Sequence, residues 1–174
     1  MSQIPAIPAA HNTVNPFVIV SDAAGFIDFV TEVFDGRESP GLRIPDRDGS
    51  LIHAEVVIGD SSVLISDRKS DWPFTPAFLQ VYVPDSQEVL DRAVERGGTV
   101  VTPVSSFYGG FTLSRLQDPW GNLWWLYSPA PAVEPGPTAS GGSTDWHDRK
   151  PSAVYTTLME AMRRLGEPTS GDLA

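Results

Sequence analysis

The sequence predicts an α+β fold made of two βαβββ modules followed by a separate C-terminal helix. Two stretches with helical spacing of their apolar residues are each flanked by short runs rich in β-branched and aromatic residues. The run at 18–22 (VIVSD) recurs 63 residues later at 81–85 (VYVPD), and the glycines that end the two helices, Gly36 and Gly98, lie 62 residues apart. Such a recurrence is typical of an internal repeat, in which two like units pack together to bury their apolar faces.

The first module begins with a strand predicted over 13–20, which ends at a Ser-Asp pair (21–22) suited to capping a helix. Apolar residues spaced by three and four predict a helix over 23–34, ended by the glycine at position 36. A Gly-Asp pair at 59–60 predicts a hairpin turn between the last two strands. The three strands that follow the helix are predicted over 37–45, 51–58 and 61–67.

The second module repeats this order, beginning with a strand predicted over 77–83. An Asp-Ser pair at 85–86 caps the following helix, and a Gly-Gly pair at 97–98 ends it. The apolar residues expected to form the buried stripe of this helix are Val89, Leu90, Ala93 and Val94. Its three further strands are predicted over 99–103, 111–117 and 122–128.

The predicted boundaries place the modules at 13–68 and 77–128, joined by a connection at 69–76. An N-terminal arm covers residues 1–12. The stretch at 129–151 is rich in Pro, Gly, Ser and Ala, which predicts a flexible linker.

After the linker, a helix is predicted over 152–165, followed by a short tail at 166–174. A helix of this length is marginal by itself, so we expect it to dock on its own domain or on a neighbouring chain. The apolar stripe that would be buried there consists of Val154, Tyr155, Leu158, Met162 and Leu165.

Composition narrows the classes of function. The 174 residues include no cysteine, which excludes disulfides, thiolate nucleophiles and zinc–sulfur sites. The net charge of −10 argues against binding to nucleic acid. No apolar run approaches the roughly 20 residues of a membrane span, and the first ten residues lack the features of a signal peptide. We therefore expect a soluble cytoplasmic protein that does not bind membranes.

Three motifs resemble the vicinal oxygen chelate superfamily, also called the glyoxalase/bleomycin-resistance/dioxygenase superfamily. They are 53–60 (HAEVVIGD), 79–85 (LQVYVPD) and 118–122 (DPWGN). They are most similar to its demethylubiquinone-methyltransferase-like branch. The resemblance covers residues 13–128 and implies that each module curls into a half-barrel sheet, with the concave faces around a pocket.

The resemblance also implies where a metal would be bound. Metal enzymes of the superfamily place ligands on the first and last strands of each module. In this chain those positions hold Asn15, Phe78 and Trp125, and the strand at 61–66 contains no carboxylate. Phenyl and indole rings do not coordinate divalent ions, so we expect neither the usual metal site nor a cofactor.

Strand alternation predicts which side chains enter the implied pocket. The expected ligand-binding residues are Asn15, Phe17, Phe78, Gln80, Tyr82, Phe107, Tyr108, Arg115 and Trp125. Phe107 and Tyr108 belong to a loop at 105–111 that contains a Gly-Gly pair and would act as a lid. Trp124 is expected in the core, and His11 and His147 in solvent. Arg115 suits an acidic ligand group, although pairing with Glu55 or Asp118 is the favoured alternative.

His53 and Glu55 are the candidate catalytic residues. They lie two residues apart on one strand face, about 7 Å, so that a bridging water or ligand fits between them and His53 would act as a general base. The alternative is that His53 only makes a structural hydrogen bond to the backbone or to Glu55.

Three functions follow from these residues. The first is a metal-independent protein that binds a small aromatic or amphipathic organic molecule, with an antibiotic-binding or resistance role. The second is a metal-free isomerase, epimerase or cyclase that uses His53 and Glu55. The third is a metal-dependent lyase or dioxygenase with a non-standard ligand set, namely His53, Glu55 and Gln80. We also expect a homodimer, because the resembling family commonly pairs chains.

Overall fold

The computed structural model describes residues 7–8, 11–131, 151–166 and 168. These residues form two sheets and three α-helices. The elements in chain order are β1 (Phe17–Val20), α1 (Ala23–Phe34), β2 (Arg37–Glu38), β3 (Ile44–Pro45), β4 (Leu51–Ile58), β5 (Ser61–Asp67), β6 (Phe78–Tyr82), α2 (Ser86–Glu95), β7 (Thr99–Ser106), a 3₁₀ turn (Tyr108–Gly110), β8 (Phe111–Gln117), β9 (Leu123–Pro129) and α3 (Ala153–Arg164).

The two sheets have the same topology, which confirms the predicted α+β fold and its repeat. In the first sheet the order is β1-β5-β4-β2, with β3 also paired to β4; in the second it is β6-β9-β8-β7. The first and last strands of each module pair in parallel, β1 with β5 and β6 with β9. All other pairs are antiparallel.

Helix α1 has the bounds that its sequence predicts. Asp22 caps its first turn, since the carboxylate Oδ1 accepts a hydrogen bond from the backbone N–H of Gly25 at 3.0 Å. The residue that adopts the left-handed conformation at its end is Asp35, with φ of 54°, rather than the predicted Gly36. Gly36 is needed for space instead, because a Cβ there would lie 2.8 Å from Val56.

Helix α2 begins after Asp85, whose side chain accepts hydrogen bonds from two backbone N–H groups of the first turn. Val89, Leu90 and Ala93 are buried as predicted. The prediction for Val94 was wrong: this side chain is 52% exposed. It lies beside the buried stripe, on the flank of the helix that faces solvent.

Several predicted strands differ in length from those observed, and prolines and glycines explain two of these differences. β1 begins only after Pro16, which has no N–H for a ladder. The predicted strand 37–45 is split into β2 and β3 by a turn at Pro40-Gly41, where Gly41 has φ of 77°. β7 runs on to Ser106 instead of ending at 103, with register irregularities between Val100 and Ser105.

One hydrophobic core joins the modules. α1 contacts α2, and Phe26 and Phe34 of α1 stack on Trp124 of the second sheet with ring centroids 6.3 and 4.4 Å apart. Trp124 is fully buried, as predicted. Because both helices lie between the sheets, the opposite face of each sheet is turned away from the core, and the described residues form no closed barrel.

Helix α3 docks on the second module of its own chain, against β7. The Thr157 hydroxyl lies 2.7 Å from that of Thr102, and the Val154 carbonyl accepts a hydrogen bond from Arg115. The predicted apolar stripe was wrong for Tyr155 and Met162, which are exposed. Polar contacts at Thr157 rotate the helix, so that these two side chains point away from the sheet.

The described helices include none that is long and apolar enough to cross a membrane. The predicted linker falls mostly at 132–150 and the predicted arm mostly at 1–6 and 9–10, and both stretches lie outside the described residues, as does His147.

Candidate functional site

The second sheet carries aromatic side chains on the face turned away from α1 and α2, which we call the aromatic face. Phe78 and Trp125 form one ring pair, with centroids 6.0 Å apart. Tyr82 contacts both Tyr127 and Phe111, at 5.5 and 5.9 Å. The strand register places on this face Phe78, Gln80, Tyr82, Phe111, Leu113, Arg115, Leu123, Trp125 and Tyr127.

The loop after β7 extends this group of rings. Phe107 contacts Tyr127 at 5.6 Å between centroids, and Tyr108 stacks on Phe107 at 4.5 Å. The loop is closed by backbone hydrogen bonds from Phe107 to Phe111 and from Ala130 to Gly110. It is therefore anchored at both ends beside the aromatic face, and its role as a lid stays a prediction.

Arg115 lies on the aromatic face and is only 4% exposed. Its guanidinium carbon stands 5.2 Å from the centroid of the Trp125 ring, a cation–π contact. Its Nη1 donates to Thr102 Oγ1 at 3.1 Å and to the Val154 carbonyl at 2.8 Å. Burial lowers the pKa of Arg115, while Tyr127 acts in the opposite direction.

The favoured sequence interpretation of Arg115, a pair with Glu55 or Asp118, was wrong. Glu55 belongs to the first sheet, and Asp118 is hydrogen-bonded within its own turn and to Trp124. The sequence placed these two carboxylates near Arg115, but their positions in the two sheets keep them away from it.

The first sheet carries a different cluster on its face away from the helices. Glu55, 5% exposed, lies between two imidazoles. His53 Nε2 is 3.0 Å from Glu55 Oε1, and His11 Nε2 is 3.2 Å from the same carboxylate. The two predicted catalytic residues are thus in direct contact, without the bridging group that ideal strand spacing predicted. His11, which the sequence placed in solvent, was missed.

The structure therefore divides the predicted site residues between two surfaces. The first sheet holds His53, Glu55 and the exposed Phe17. Asn15 lies before β1, where its side chain makes two hydrogen bonds with the backbone of Asn12. The prediction that Asn15 lies on the first strand was wrong, because the strand starts after Pro16. The remaining predicted residues lie on or beside the aromatic face.

A groove of about 580 Å³ adjoins the aromatic face along the outer edge of β6. One wall of the groove contains Phe78, Gln80 and Tyr82, which also lie on the aromatic face. The other wall is formed by the β4–β5 turn at 58–61. Sequence reasoning missed this groove, because it depends on how the two modules pack. The sequence holds no local signal for it, because the edge position of β6 is a property of the assembled sheet.

The residues present do not fit the superfamily's metal site. The positions expected to carry ligands hold aromatic rings at Phe78 and Trp125, and Gln80 donates to Tyr82 at 3.0 Å, in a different sheet from His53 and Glu55. In the part of the chain that the structure describes, no group of three or more His, Cys, Asp or Glu side chains is arranged to hold a metal ion. No step is therefore assigned to a metal.

Comparison with known proteins agrees with this fold. An uncharacterized protein of Mycobacterium tuberculosis is 34% identical over 130 residues, which span 68% of this chain and 75% of that protein. TioX from Micromonospora sp. ML1 matches with a TM-score of 0.54 at 22% identity, over 71% of this chain and all of that chain. The fosfomycin resistance protein FosX from Listeria monocytogenes matches with a TM-score of 0.55 at 16% identity, over 68% of this chain and 94% of that one.

The two structural likenesses, at such low identities, show the fold alone. A family profile supplies the assignment, because it matches residues 11–126, which include the first module and nearly all of the second. The demethylubiquinone-methyltransferase-like branch stays an expectation from the motifs. The chain belongs to the glyoxalase/bleomycin resistance protein/dioxygenase superfamily.

Proposed function

We propose that this protein binds a small aromatic or amphipathic organic molecule on the aromatic face of its second module, and that it does so without a metal ion. The observation that carries the proposal is the exposure of this face: Phe78 is 51% and Tyr82 66% exposed, although both belong to a cluster of rings. Aromatic surface grouped in this way is characteristic of ligand sites.

The polar groups on the same face suit a small molecule. Gln80, Arg115 and the Tyr127 hydroxyl stand among the rings, so a ligand would gain apolar contact together with a few directional hydrogen bonds. The names of the similar structures include fosfomycin resistance proteins. An antibiotic-binding or resistance role is therefore the form of this function that we favour.

The proposal is tested by a thermal-shift screen against aromatic antibiotics and cell metabolites, followed by tryptophan fluorescence titration of each hit. We expect the hit to quench fluorescence in the native protein and to lose most of that response in Trp125→Phe. Trp72→Phe is the matched control, since Trp72 is also partly exposed but lies in the connection between β5 and β6, outside the aromatic face. Equal responses in the two variants would place the ligand elsewhere.

Metal independence has its own test. Elemental analysis of protein purified without chelator should find well under one equivalent of zinc, iron, manganese or nickel. One equivalent that is lost, together with thermal stability, on chelation would contradict this part of the proposal.

A second candidate function is a metal-free isomerase, epimerase or cyclase. It is favoured by the buried Glu55 with an imidazole on either side, since a carboxylate can hold an imidazole in place to act as a general base. For any compound that the screen shows to be converted, His53→Ala should abolish turnover and leave binding intact. Turnover that survives His53→Ala would exclude this role for the cluster.

A further inference from the structure

The second sheet has an unusual distribution of charge. Arg115 is the one charged residue in its four strands, and no acidic residue lies in β6, β7, β8 or β9. This holds in a chain whose net charge is −10. A lone cation has thus been kept on the aromatic face, while the acidic residues lie elsewhere.

The hydrogen bonds of Arg115 are incomplete. Both of its bonds leave from Nη1, and it makes no ion pair with any residue that the structure describes. Its Nε is buried and has no hydrogen-bond partner. A guanidinium taken out of water without a carboxylate destabilises a fold, and an apolar side chain of similar size would suit the site better. Stability therefore does not account for this residue.

The free edge of the guanidinium has a defined shape. With Nη1 occupied, Nε and Nη2 remain as two parallel donors, the arrangement that binds both oxygens of a carboxylate. The Trp125 ring lies against the same guanidinium, and Phe78 meets that ring edge-on. An acid group at Nε and Nη2 would place an attached aromatic ring beside these two side chains.

We infer that Arg115 recognises a carboxylate, or a similar planar acid group, carried by the aromatic molecule that the second module binds. This inference rests on the proposed function and names the chemical class of its ligand, an aromatic acid. The overall negative charge of the protein disfavours nonspecific binding of anions, so a preference for an acid must come from a local cation.

Helix α3 controls access to this group. Nε is buried, so the acid reaches it only when a covering element moves. α3 lies against Arg115 through the Val154 carbonyl, and none of its residues is fully buried. Movement of α3 therefore costs less apolar contact than movement of any other element around Arg115. When α3 docks again, the Val154 carbonyl again accepts the hydrogen bond from Nη1.

The experiment compares three probes of one shape: 2-naphthoate, its neutral amide 2-naphthamide, and the cation 2-naphthylmethylammonium. Each is titrated into the full chain by tryptophan fluorescence. We expect naphthoate to bind about tenfold more tightly than the amide, since a buried charge-assisted pair is the difference between them. Arg115→Met should remove this preference, so that the variant binds naphthoate and the amide about equally. Arg47→Met, which removes an exposed arginine in a loop, is the matched control.

Stability supplies an independent readout. Arg115→Met should melt at the same temperature as the native protein or higher, because it removes a buried charge that has no carboxylate partner. A lower melting temperature would overturn the inference by showing that the guanidinium is structural. Equal affinity for all three probes would overturn the inference and leave the proposed function standing. Failure of all three to bind would overturn both.

Discussion

Asp118 shows how a single residue organises the turn into the last strand. It is buried and accepts hydrogen bonds from the backbone N–H groups of Trp120 and Asn122, from the Asn122 side chain and from the Trp124 indole. Asn122 in turn accepts a bond from Ala77 at the start of β6. Burial raises the pKa of Asp118 to about 6, against the lowering effect of these donors.

The raised pKa of Asp118 predicts a pH dependence of stability. The folded state holds this proton up to about pH 6, whereas the unfolded chain releases it near 3.8. The contribution of Asp118 is therefore fully present below pH 3.8 and is lost as the pH rises through 6, by about 3 kcal/mol. The test is urea unfolding of the native protein and of Asp118→Asn at pH 3.5 to 7. The free energy of unfolding of the native protein, relative to that of the variant, should fall as the pH rises over this range.

Other carboxylates titrate equally in both proteins and cancel in this difference. Asp91→Asn, at an exposed position on α2, is the matched control variant. If the free energy of unfolding of the native protein, relative to that of Asp118→Asn, instead rises with pH, the N–H donors lower the pKa of Asp118 by more than burial raises it.

At the scale of residues, the sequence predicted the face on which a side chain lies better than the residues that it contacts. Strand alternation correctly placed Trp124 in the core and Trp125 on the opposite face, because that pattern is local. It did not predict that His11 contacts Glu55, 44 positions away. Nor did it predict the carbonyl that binds Arg115, which comes from a helix beyond the linker. Partners of this kind depend on tertiary packing, which no local pattern contains.

At the scale of elements, prediction was most accurate where capping and periodicity agree. α1 has a capping aspartate and a long apolar stripe, and its bounds are those expected. The region 37–45 has neither, and its Pro-Gly pair divides it into two short strands. The rotation of α3 about its axis was mispredicted, because hydrophobic spacing ignores the bond between Thr157 and Thr102.

That hydroxyl bond predicts how α3 controls binding. Thr157→Val keeps the shape of the side chain but removes its bond to Thr102, which weakens docking of the helix by about 1 kcal/mol. Naphthoate should then bind up to about fivefold more tightly, since less work is needed to move α3. Thr156→Val is the control, because Thr156 is exposed and bonds only within its own helix. An unchanged affinity in Thr157→Val, measured by fluorescence titration, would show that α3 does not obstruct the site.

At the scale of the whole molecule, the two sheets face outward from a shared helical core. Their outer faces leave Phe17 exposed on the first sheet and Phe78 and Tyr82 exposed on the second. The family resemblance implied one pocket between these faces, yet within a single chain they are turned apart. Sequence patterns predict the face on which a residue lies but not which two faces meet.

The exposed outer faces support the expectation of a homodimer, because a second chain would cover apolar surface that this chain leaves open. Light scattering should give twice the mass of one chain. Deletion of residues 129–174 should weaken the dimer and lower its melting temperature, since it removes α3 from the second sheet. A chain lacking only 169–174 is the control. If the longer deletion leaves mass and melting temperature unchanged, α3 has no part in assembly or stability.

The most direct test of the central claim, that the aromatic face of the second module binds an aromatic molecule, is the response of the tryptophan indole N–H signals in an NMR titration with 2-naphthamide. The chain has five tryptophans, each assignable by substitution with phenylalanine. The signal of Trp125 should shift most, while those of Trp72 and the buried Trp124 stay in place. A titration in which Trp125 does not move, while another tryptophan does, would contradict the claim.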